Sequence, residues 1–209
     1  MADNVKLSIV IPVAPDETQH TQLLGDIEHL QPEFVKQSVK LSVSVVSAGS
    51  RAKSLNQGAE NSADGYIWFL HADSRITAEN VKALMQALNK NPSPATIFYF
   101  NLVFREGGLA RLNALGANLR SVLFRAPYGD QGFCMQRSLW EKLGGYPENV
   151  EYAEDLLLVQ AAKTNGVKIY RITSTLSSSA RKYQQQGWLR LTLRYQWIYW
   201  KLTLKNRWQ

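Results

Sequence analysis

The sequence predicts an α/β/α sandwich of three layers with a mainly parallel central sheet. Short apolar runs rich in β-branched residues alternate along the chain with stretches whose apolar residues recur at helical spacing. The 209 residues, 45% of them hydrophobic, are enough for one domain with a sizeable core. In a sheet of this kind, ligands bind beyond the carboxyl ends of the strands. Polar residues directly after a strand are therefore the first candidates for a functional site.

The first half of the chain shows the alternation most clearly. The run "KLSIVIPV" is apolar and ends near Pro12, which is typical of a buried strand. Thr77 is a candidate N-cap for a helix that stops before Pro92. On this basis we expect strands over 6–13, 40–49, 66–73 and 95–104, with helices over 16–30, 51–62 and 77–90.

The second half continues the pattern. We expect a basic, acid-free helix over 107–125, a strand at "GFCMQ", a helix over 151–166 that ends at Gly166, and a strand over 167–173. Residues 1–187 form the predicted domain. Residues 188–209 form a separate basic, aromatic C-terminal segment, for which helical spacing of its apolar residues favours a helix, although alternation by two fits part of it.

Charge is distributed unevenly. The net charge is +7, but no Asp or Glu follows Asp155, so all the excess positive charge lies in the last quarter of the chain. Such asymmetry indicates an anionic partner: a phosphate-bearing ligand, a membrane surface or nucleic acid. No nucleic-acid motif accompanies it, which disfavours the last. The segment 188–209 either packs on the domain or lies as an amphipathic helix on an anionic membrane.

Other global features favour a cytoplasmic protein, either free or lying peripherally on the inner membrane face. The single cysteine, Cys134, cannot form an internal disulfide. The N-terminus has neither the basic region nor the apolar segment of a signal peptide. No run of about 18 apolar residues is present, so no transmembrane helix is expected.

Two candidate residues end the third strand, in "GYIWFLHADSRI". Asp73 is placed to bind Mg²⁺ or Mn²⁺, which prefer oxygen ligands and often share them with substrate phosphates. His71 lies two residues earlier, on the same side of an extended chain, and could ligate a softer ion or hydrogen-bond a ribose. The alternative is an ordinary polar turn after a strand.

Three further acids and two cations are candidates. Glu154 and Asp155 begin a helix, where they either complement its dipole or provide a general base. Asp130, between glycines in "YGDQG", either caps a tight turn or approaches a ligand. Arg51 and Lys53 open a helix after the second strand, and together with backbone N–H groups they would suit a diphosphate.

Taken together, these stretches resemble family 2 glycosyltransferases with a GT-A, Rossmann-like fold. Within that family they are most similar to a small bacterial subgroup associated with radical-SAM and selenium domains. The resemblance extends over nearly the whole chain, and its most specific part is "ANLRSVLFRAPYGDQGFCMQRSLWEKLGGYPE". The stretches that carry it elsewhere are "LSIVIPV", "GSRAKSLNQGA", "GYIWFLHADSRI", "AEDLLLVQAAKTNG" and "SSARKYQQQGWLR".

The resemblance implies transfer of a sugar, with inversion, from a UDP- or GDP-linked donor to an acceptor hydroxyl that could belong to a lipid. Asp155 matches the general base, with Glu154 as its close rival. Asp130 and Gln131 match the acceptor-side loop. The implied donor-binding residues are Arg51, Asn56, His71, Asp73 and Arg181, and the implied ligands of Mg²⁺ or Mn²⁺ are Asp73 and His71.

Three stretches depart from the family pattern. The turn after strand one is "VAPDETQH", and the loop after strand two, "SAGSRAKS", contains no acid. At the third strand, His71 stands where the family usually has an Asp. These departures leave a second hypothesis open: a non-catalytic protein of the same fold that binds a nucleotide sugar or a lipid.

Overall fold

A computed structural model describes residues 4–150, 152–181 and 197. Its strands are β1 (Val5–Pro12), β2 (Val39–Val46), β3 (Tyr66–Phe69), β4 (Thr96–Phe104), β5 (Cys134–Gln136) and β6 (Lys168–Ser178). Its helices are α1 (His20–His29), α2 (Gln31–Lys36), α3 (Arg51–Glu60), α4 (Ala78–Lys90), α5 (Ala110–Phe124), α6 (Arg137–Lys142) and α7 (Glu154–Thr164). A single 3-10 turn, Gly129–Gln131, precedes β5.

The six strands form one sheet in the order β2-β1-β3-β5-β4-β6. β1 pairs in parallel with β2 and β3, and β4 pairs in parallel with β6. β5 is antiparallel to both of its neighbours, β3 and β4. The predicted, mainly parallel α/β sandwich is therefore confirmed, with one reversed strand in the middle of the sheet.

Both faces of the sheet are covered, which gives the three layers. Successive strand residues alternate between two cores: Ile9 and Ile11 pack in the core that includes α1, α2 and α4, whereas Val10 packs in the core of α3, α6 and α7. Burial on both faces explains why β1, β3 and β4 are nearly continuous apolar runs rather than alternating ones. In β3, Trp68 and Phe69 likewise face opposite cores.

Local signals fixed several helix ends as expected. Thr77 is the N-cap of α4 and exchanges hydrogen bonds with Asn80 in a capping box, and Asn91 is its C-cap. The structure differs at α2, which the sequence pattern did not predict. This helix has only six residues and carries Pro32 in its first turn, so it is too short to show helical periodicity.

The C-terminal segment 188–209 lies outside the described residues except for Trp197, which is helical and exposed. Its predicted helix and its separation from the domain therefore stay predictions. In the described part of the chain, no helix is both long enough and apolar enough to cross a membrane.

Candidate functional site

The candidate residues converge on one edge of the sheet. Arg51 follows β2, Asp73 follows β3, and the segment 178–181 follows β6, all at carboxyl ends of parallel strands. Because β5 is antiparallel, its beginning lies at the same edge, and Phe69 N–H donates to the Phe133 carbonyl at 2.8 Å. The loop that contains Asp130 therefore also lies at the strand ends, where ligands bind in sheets of this kind.

Arg51 joins the start of α3 to the start of α7. Its Nη2 donates to Asp155 Oδ2 at 3.2 Å, and its Nε contacts Glu154 Oε1. The two carboxylate side chains are only 5% and 7% exposed, whereas the Arg51 side chain is 40% exposed. A buried pair of like charges needs such a partner, because an unpaired buried carboxylate is costly. Burial alone would lower the pKa of Arg51, but Asp155 and Glu154 outweigh it and raise that pKa.

Asp155 has the electrostatics of a group that can exchange protons near neutral pH. Burial raises its pKa, Arg51 lowers it, and the charges of Glu154 and Asp130 raise it again, which brings the pKa to about 6. In the part of the chain described, its Oδ1 is buried without a hydrogen-bond partner. Perturbed carboxyls of this kind are typical of active sites.

The surroundings of Asp155 leave little free space. A Cβ on Gly129 would lie 2.5–2.6 Å from the Asp155 carboxyl atoms, so the backbone of the loop packs directly on that carboxyl group. Tyr146 is fully buried, and burial, followed by the charge of Asp155, raises its pKa. No local pattern selects Tyr146, which lies in a Gly-Gly-Tyr-Pro stop.

The helix that carries Glu154 and Asp155 begins under local backbone strain. Its N-cap, Ala153, has φ of 68°, a left-handed conformation that costs a residue with a Cβ about 1 kcal/mol or more. Strain of this kind is found disproportionately at functional sites. The acidic pair lies in the first turn, where the helix dipole favours negative charge.

The two acceptor-side candidates have different surroundings. Asp130 is half-buried, and its charge acts on both Arg51 and Asp155. Gln131 is completely buried, and its amide holds the loop in place: Nε2 donates to the Phe100 carbonyl at 3.0 Å, and Oε1 accepts from Ser121 Oγ at 2.7 Å. Asp130 thus acts electrostatically on the Arg51 and Asp155 pair, whereas Gln131 fixes the position of the loop that carries Asp130.

Asp73 lies in a tight turn past the end of β3. Its Oδ2 accepts from Ser178 Oγ at 3.1 Å and from Ser179 N–H at 3.3 Å. The strand ends at Phe69, and Ser74 N–H donates to the His71 carbonyl. The expectation that His71 and Asp73 lie on one side of an extended chain was wrong, because the chain has already turned there.

A second group of polar side chains surrounds the Asp73 turn. Arg105 Nη1 donates to the Asp73 carbonyl at 2.9 Å. Glu106 accepts from Ser179 Oγ at 2.5 Å and from Ala180 N–H at 2.7 Å. Burial would raise the pKa of Glu106, but these hydrogen bonds outweigh it and lower that pKa. Arg181 Nη2 donates to Glu17 Oε2 at 3.1 Å, so it links the segment after β6 to the loop after β1.

Sequence reasoning missed Arg105 and Glu106. They follow β4 directly, so the rule that selected Asp73, a polar residue just after a strand, applies equally to them. Arg75, two residues after Asp73, forms a bidentate ion pair with Asp26 on α1 at 2.5 and 2.6 Å.

The side chain of Asn56 forms its hydrogen bonds with a different loop, not with the residues around Asp73. Its side-chain amide donates to the Tyr146 carbonyl and to Glu148, and its oxygen accepts from Tyr146 N–H, each at 2.8 Å. It therefore anchors the Gly-Gly-Tyr-Pro loop, and its role in donor binding stays a prediction. Ser50 caps α3 by accepting from Lys53 N–H, so that backbone donor is already used.

A divalent cation would find only part of its coordination shell in the protein. Among the described residues, no three His, Cys, Asp or Glu side chains are grouped to hold a metal. Both hydrogen bonds to the Asp73 carboxylate reach Oδ2, which leaves Oδ1 as an oxygen ligand. Mg²⁺ is commonly held by one or two carboxylates together with substrate phosphates, so Asp73 fits such a site.

The architecture is similar to that of solved glycosyltransferases. S. aureus TarS 1-349 in complex with UDP-GlcNAc matches with a TM-score of 0.59 and 18% identity, over 84% of this chain and 58% of that one. The mannosyltransferase PcManGT from Pyrobaculum calidifontis, in complex with GDP-Man and Mn²⁺, matches with a TM-score of 0.58 and 14% identity, over 85% and 58%. The chain has a GT-A-type fold.

A third similar structure is a variant of Drosophila β1,4-galactosyltransferase 7 with manganese, UDP-Gal and xylobiose, at a TM-score of 0.57 and 14% identity, over 88% of this chain and 74% of that one. The chain spans 60% of TarS 1-349 and 37% of a longer TarS structure. No protein-family profile and no curated protein sequence matches the chain. The similarity therefore establishes the fold.

Proposed function

We propose that the protein is a metal-dependent, inverting glycosyltransferase that moves a sugar from a nucleotide-diphosphate donor to an acceptor hydroxyl. One observation carries the proposal: within a GT-A-type fold, the ligand-binding edge holds a buried carboxyl, Asp155, whose pKa is about 6. A general base is most effective when its pKa lies near the working pH, because it is then both ionised and basic enough to take a proton.

Asp155 is the proposed base. It takes the proton of the acceptor hydroxyl while the hydroxyl oxygen attacks the anomeric carbon, and the nucleoside diphosphate leaves with the electrons of the broken C–O bond. Direct displacement from the opposite face inverts that carbon. Glu154 is the less favourable candidate, because its Oε1 is in close contact with Arg51 Nε, whereas Asp155 Oδ2 lies at the longer distance of 3.2 Å from Arg51 Nη2.

The proposed donor-side residues are Arg51, Asp73, His71, Asn56 and Arg181. A guanidinium has five N–H donors, and Arg51 uses only Nε and Nη2 on the carboxylates, so Nη1 is left for a donor phosphate. Its 40% exposure is consistent with that role. The acceptor would lie against Asp130, with Gln131 holding the loop.

Asp73 is the proposed protein ligand of Mg²⁺ or Mn²⁺, with His71 as a further candidate. A bound cation would neutralise negative charge that develops on the departing diphosphate. Mn²⁺ accompanies the nucleotide sugar in two of the similar structures, which supports its use here.

The test is transfer activity with a panel of UDP- and GDP-sugars and Mn²⁺, comparing the protein with Asp155→Asn and Glu154→Gln. Removal of a general base typically costs about 10²–10⁴ in rate. We expect Asp155→Asn to lose activity by that factor while its donor binding, measured by calorimetry, is retained. If Asp155→Asn transfers sugar as fast as the wild-type protein, the assignment of the base is wrong.

A second candidate function is a non-catalytic protein that binds a nucleotide sugar. It is favoured by the absence of acids in "SAGSRAKS", the loop after β2, and by the fact that Arg51 occupies both carboxylates. The same panel separates the two functions, because donor binding without transfer or hydrolysis in the wild-type protein supports only the second. Cytoplasmic location and membrane contact through residues 188–209 belong to the proposal as well.

A further inference from the structure

Helix α5 has the reverse of the usual amphipathic arrangement. Its inner face consists of small residues: Ala110 and Ala114 are buried against Leu102 and Phe104 of β4, and Ala117 packs beside them. A helix that covers a sheet normally turns its large apolar residues inward. The alanines allow α5 to lie close to the sheet, and the large apolar residues are left for the outer face.

The outer face of α5 is a continuous apolar stripe. Leu112, Leu115, Leu119 and Leu123 recur at helical spacing and are 56–65% exposed. Of the thirteen large apolar side chains that are exposed in the described structure, seven lie in this segment: Leu109, Leu112, Leu115, Leu119, Val122, Leu123 and Phe124. Single exposed apolar residues are ordinary, but a contiguous patch indicates an interaction site.

The charges beside the leucines are positive. At about 100° per residue, Arg111 falls on one side of them. Arg120 falls on the other side, but its Nε donates to the Ala126 carbonyl at 3.0 Å and its guanidinium lies 3.5 Å from the centre of the Tyr128 ring. Arg125 follows the helix, and Lys163 Nζ donates to the Phe124 carbonyl at 2.9 Å. The helix itself contains no Asp or Glu. Two copies paired through this face would place arginines against arginines, so an anionic partner complements it better.

We propose that the outer face of α5 docks on an anionic lipid membrane, with the helix axis parallel to the surface. The leucines enter the boundary between headgroups and acyl chains, and the exposed Arg111 and Arg125 meet lipid phosphates. Arginine side chains suit this position, because their apolar stems can lie along the leucines while the guanidinium reaches the headgroups.

The inner side of the same helix holds the acceptor-side loop. Ser121 Oγ donates to Gln131 Oε1 at 2.7 Å, and Gln131 Nε2 reaches Asn118 Oδ1 at 3.4 Å. Gln131 adjoins Asp130, whose charge acts on Asp155. Docking of α5 therefore places this loop about one helix diameter, roughly 10 Å, from the membrane surface. The consequence for the acceptor, a lipid whose hydroxyl lies at the headgroup level, rests on the proposed function.

The test is flotation of the full chain with phosphatidylcholine vesicles that contain or lack phosphatidylglycerol. We expect the wild-type protein to float with the anionic vesicles, and the double variant Leu115→Glu/Leu119→Glu to lose at least tenfold in vesicle affinity. Val35→Glu is the matched control, because Val35 is an equally exposed apolar helix residue, 72%, on α2. It should float as the wild-type protein does.

Thermal unfolding of each variant separates a loss of docking from a loss of folding. Because Leu115 and Leu119 are exposed, the double variant should unfold at the wild-type temperature. The proposal is overturned if the wild-type protein does not float, or if the double variant floats equally, which would assign binding to residues 188–209. It is also overturned if gel filtration shows a dimer that the double variant dissociates. None of these readouts needs sugar transfer, so they stand apart from the proposed function.

Discussion

Arg51 Nη2 donates to Asp155 Oδ2 at 3.2 Å, although the two residues are 104 positions apart in the sequence. The contact links the loop after β2 to the first turn of α7. It also sets the proton affinity of the carboxyl, since Arg51 lowers a pKa that burial and two neighbouring acids raise. The same guanidinium is exposed enough to meet a ligand.

Replacement of Arg51 by glutamine should destabilise the protein and shift the titration of Asp155. Removing the cation leaves two buried carboxylates unpaired, which should cost about 2 kcal/mol in the free energy of unfolding, after allowance for the partial exposure of Arg51. The pKa of Asp155 should rise further. Urea unfolding and the pH profile of the transfer rate measure these effects. Lys53→Gln, which removes an exposed cation two residues further along α3, should change neither.

The pH dependence of Asp155 has a definite sign. Its pKa rises from the ordinary 3.8 to about 6 on folding, so the folded state holds this proton more tightly than the unfolded state. The stabilisation is fully present below about pH 4 and is lost as pH rises through 6, which amounts to roughly 3 kcal/mol. We expect the difference in unfolding free energy between the protein and Asp155→Asn to fall over this window and to be flat above pH 7.

The transfer rate should follow the opposite direction, because a general base acts in its ionised form. We expect half-maximal kcat/KM near pH 6 and a plateau above it. A rate that falls between pH 5 and 7 would contradict the assignment of Asp155 as the base.

Asp73→Asn should weaken donor binding only when a divalent cation is present. The amide retains the hydrogen bonds from Ser178 and Ser179 at one oxygen but removes the negative charge that a cation needs. Calorimetry with a nucleotide sugar, with Mn²⁺ and with EDTA, measures the difference. Asp64→Asn is the control, because the Asp64 side chain is 95% exposed and precedes the amino end of β3, whereas Asp73 follows the carboxyl end of the same strand. Equal weakening in EDTA would rule out a metal-linked role.

Gly129→Ala should disrupt the site, because the new Cβ would lie 2.5–2.6 Å from the Asp155 carboxyl atoms and would push that carboxyl away from Arg51, which holds it. We expect loss of activity and a lower midpoint of thermal unfolding. Gly25→Ala, in the exposed interior of α1, meets no atom within 4 Å. It should raise stability by about 0.5–1 kcal/mol and leave activity unchanged. A well-folded and fully active Gly129→Ala protein would show that the loop can retreat from Asp155.

Much of the fold could be predicted because its signals are local. The capping box of Thr77 and Asn80 and the two-sided burial of β1 are both written in neighbouring residues. The end of β3 could not be located in this way. Leu70 is as apolar and as buried as Phe69, and its N–H still donates to the Val10 carbonyl at 3.0 Å, so composition does not mark the turn that follows at His71.

The sequence singles out candidate site residues one at a time, but it does not predict which of them contact one another. Asp155 and Arg51 each stood out by position, one at a helix start and one after a strand. Their pairing depends on how α7 packs against α3, which no local pattern contains. Gln131 shows the converse, since the family resemblance implied a place in the acceptor-side loop, whereas its side chain holds that loop from a buried position.

The reversed strand β5 has a consequence for synthesis of the chain. β4 is strongly apolar and aromatic, "TIFYFNLVF", and among the described strands its neighbours in the sheet are β5 and β6, both made after it. β4 ends at Phe104 and β5 begins at Cys134, an interval of about 2–6 s at roughly 5–20 residues per second. During that interval both edges of an aggregation-prone segment are unpaired, which makes it the natural place for a chaperone to bind the nascent chain.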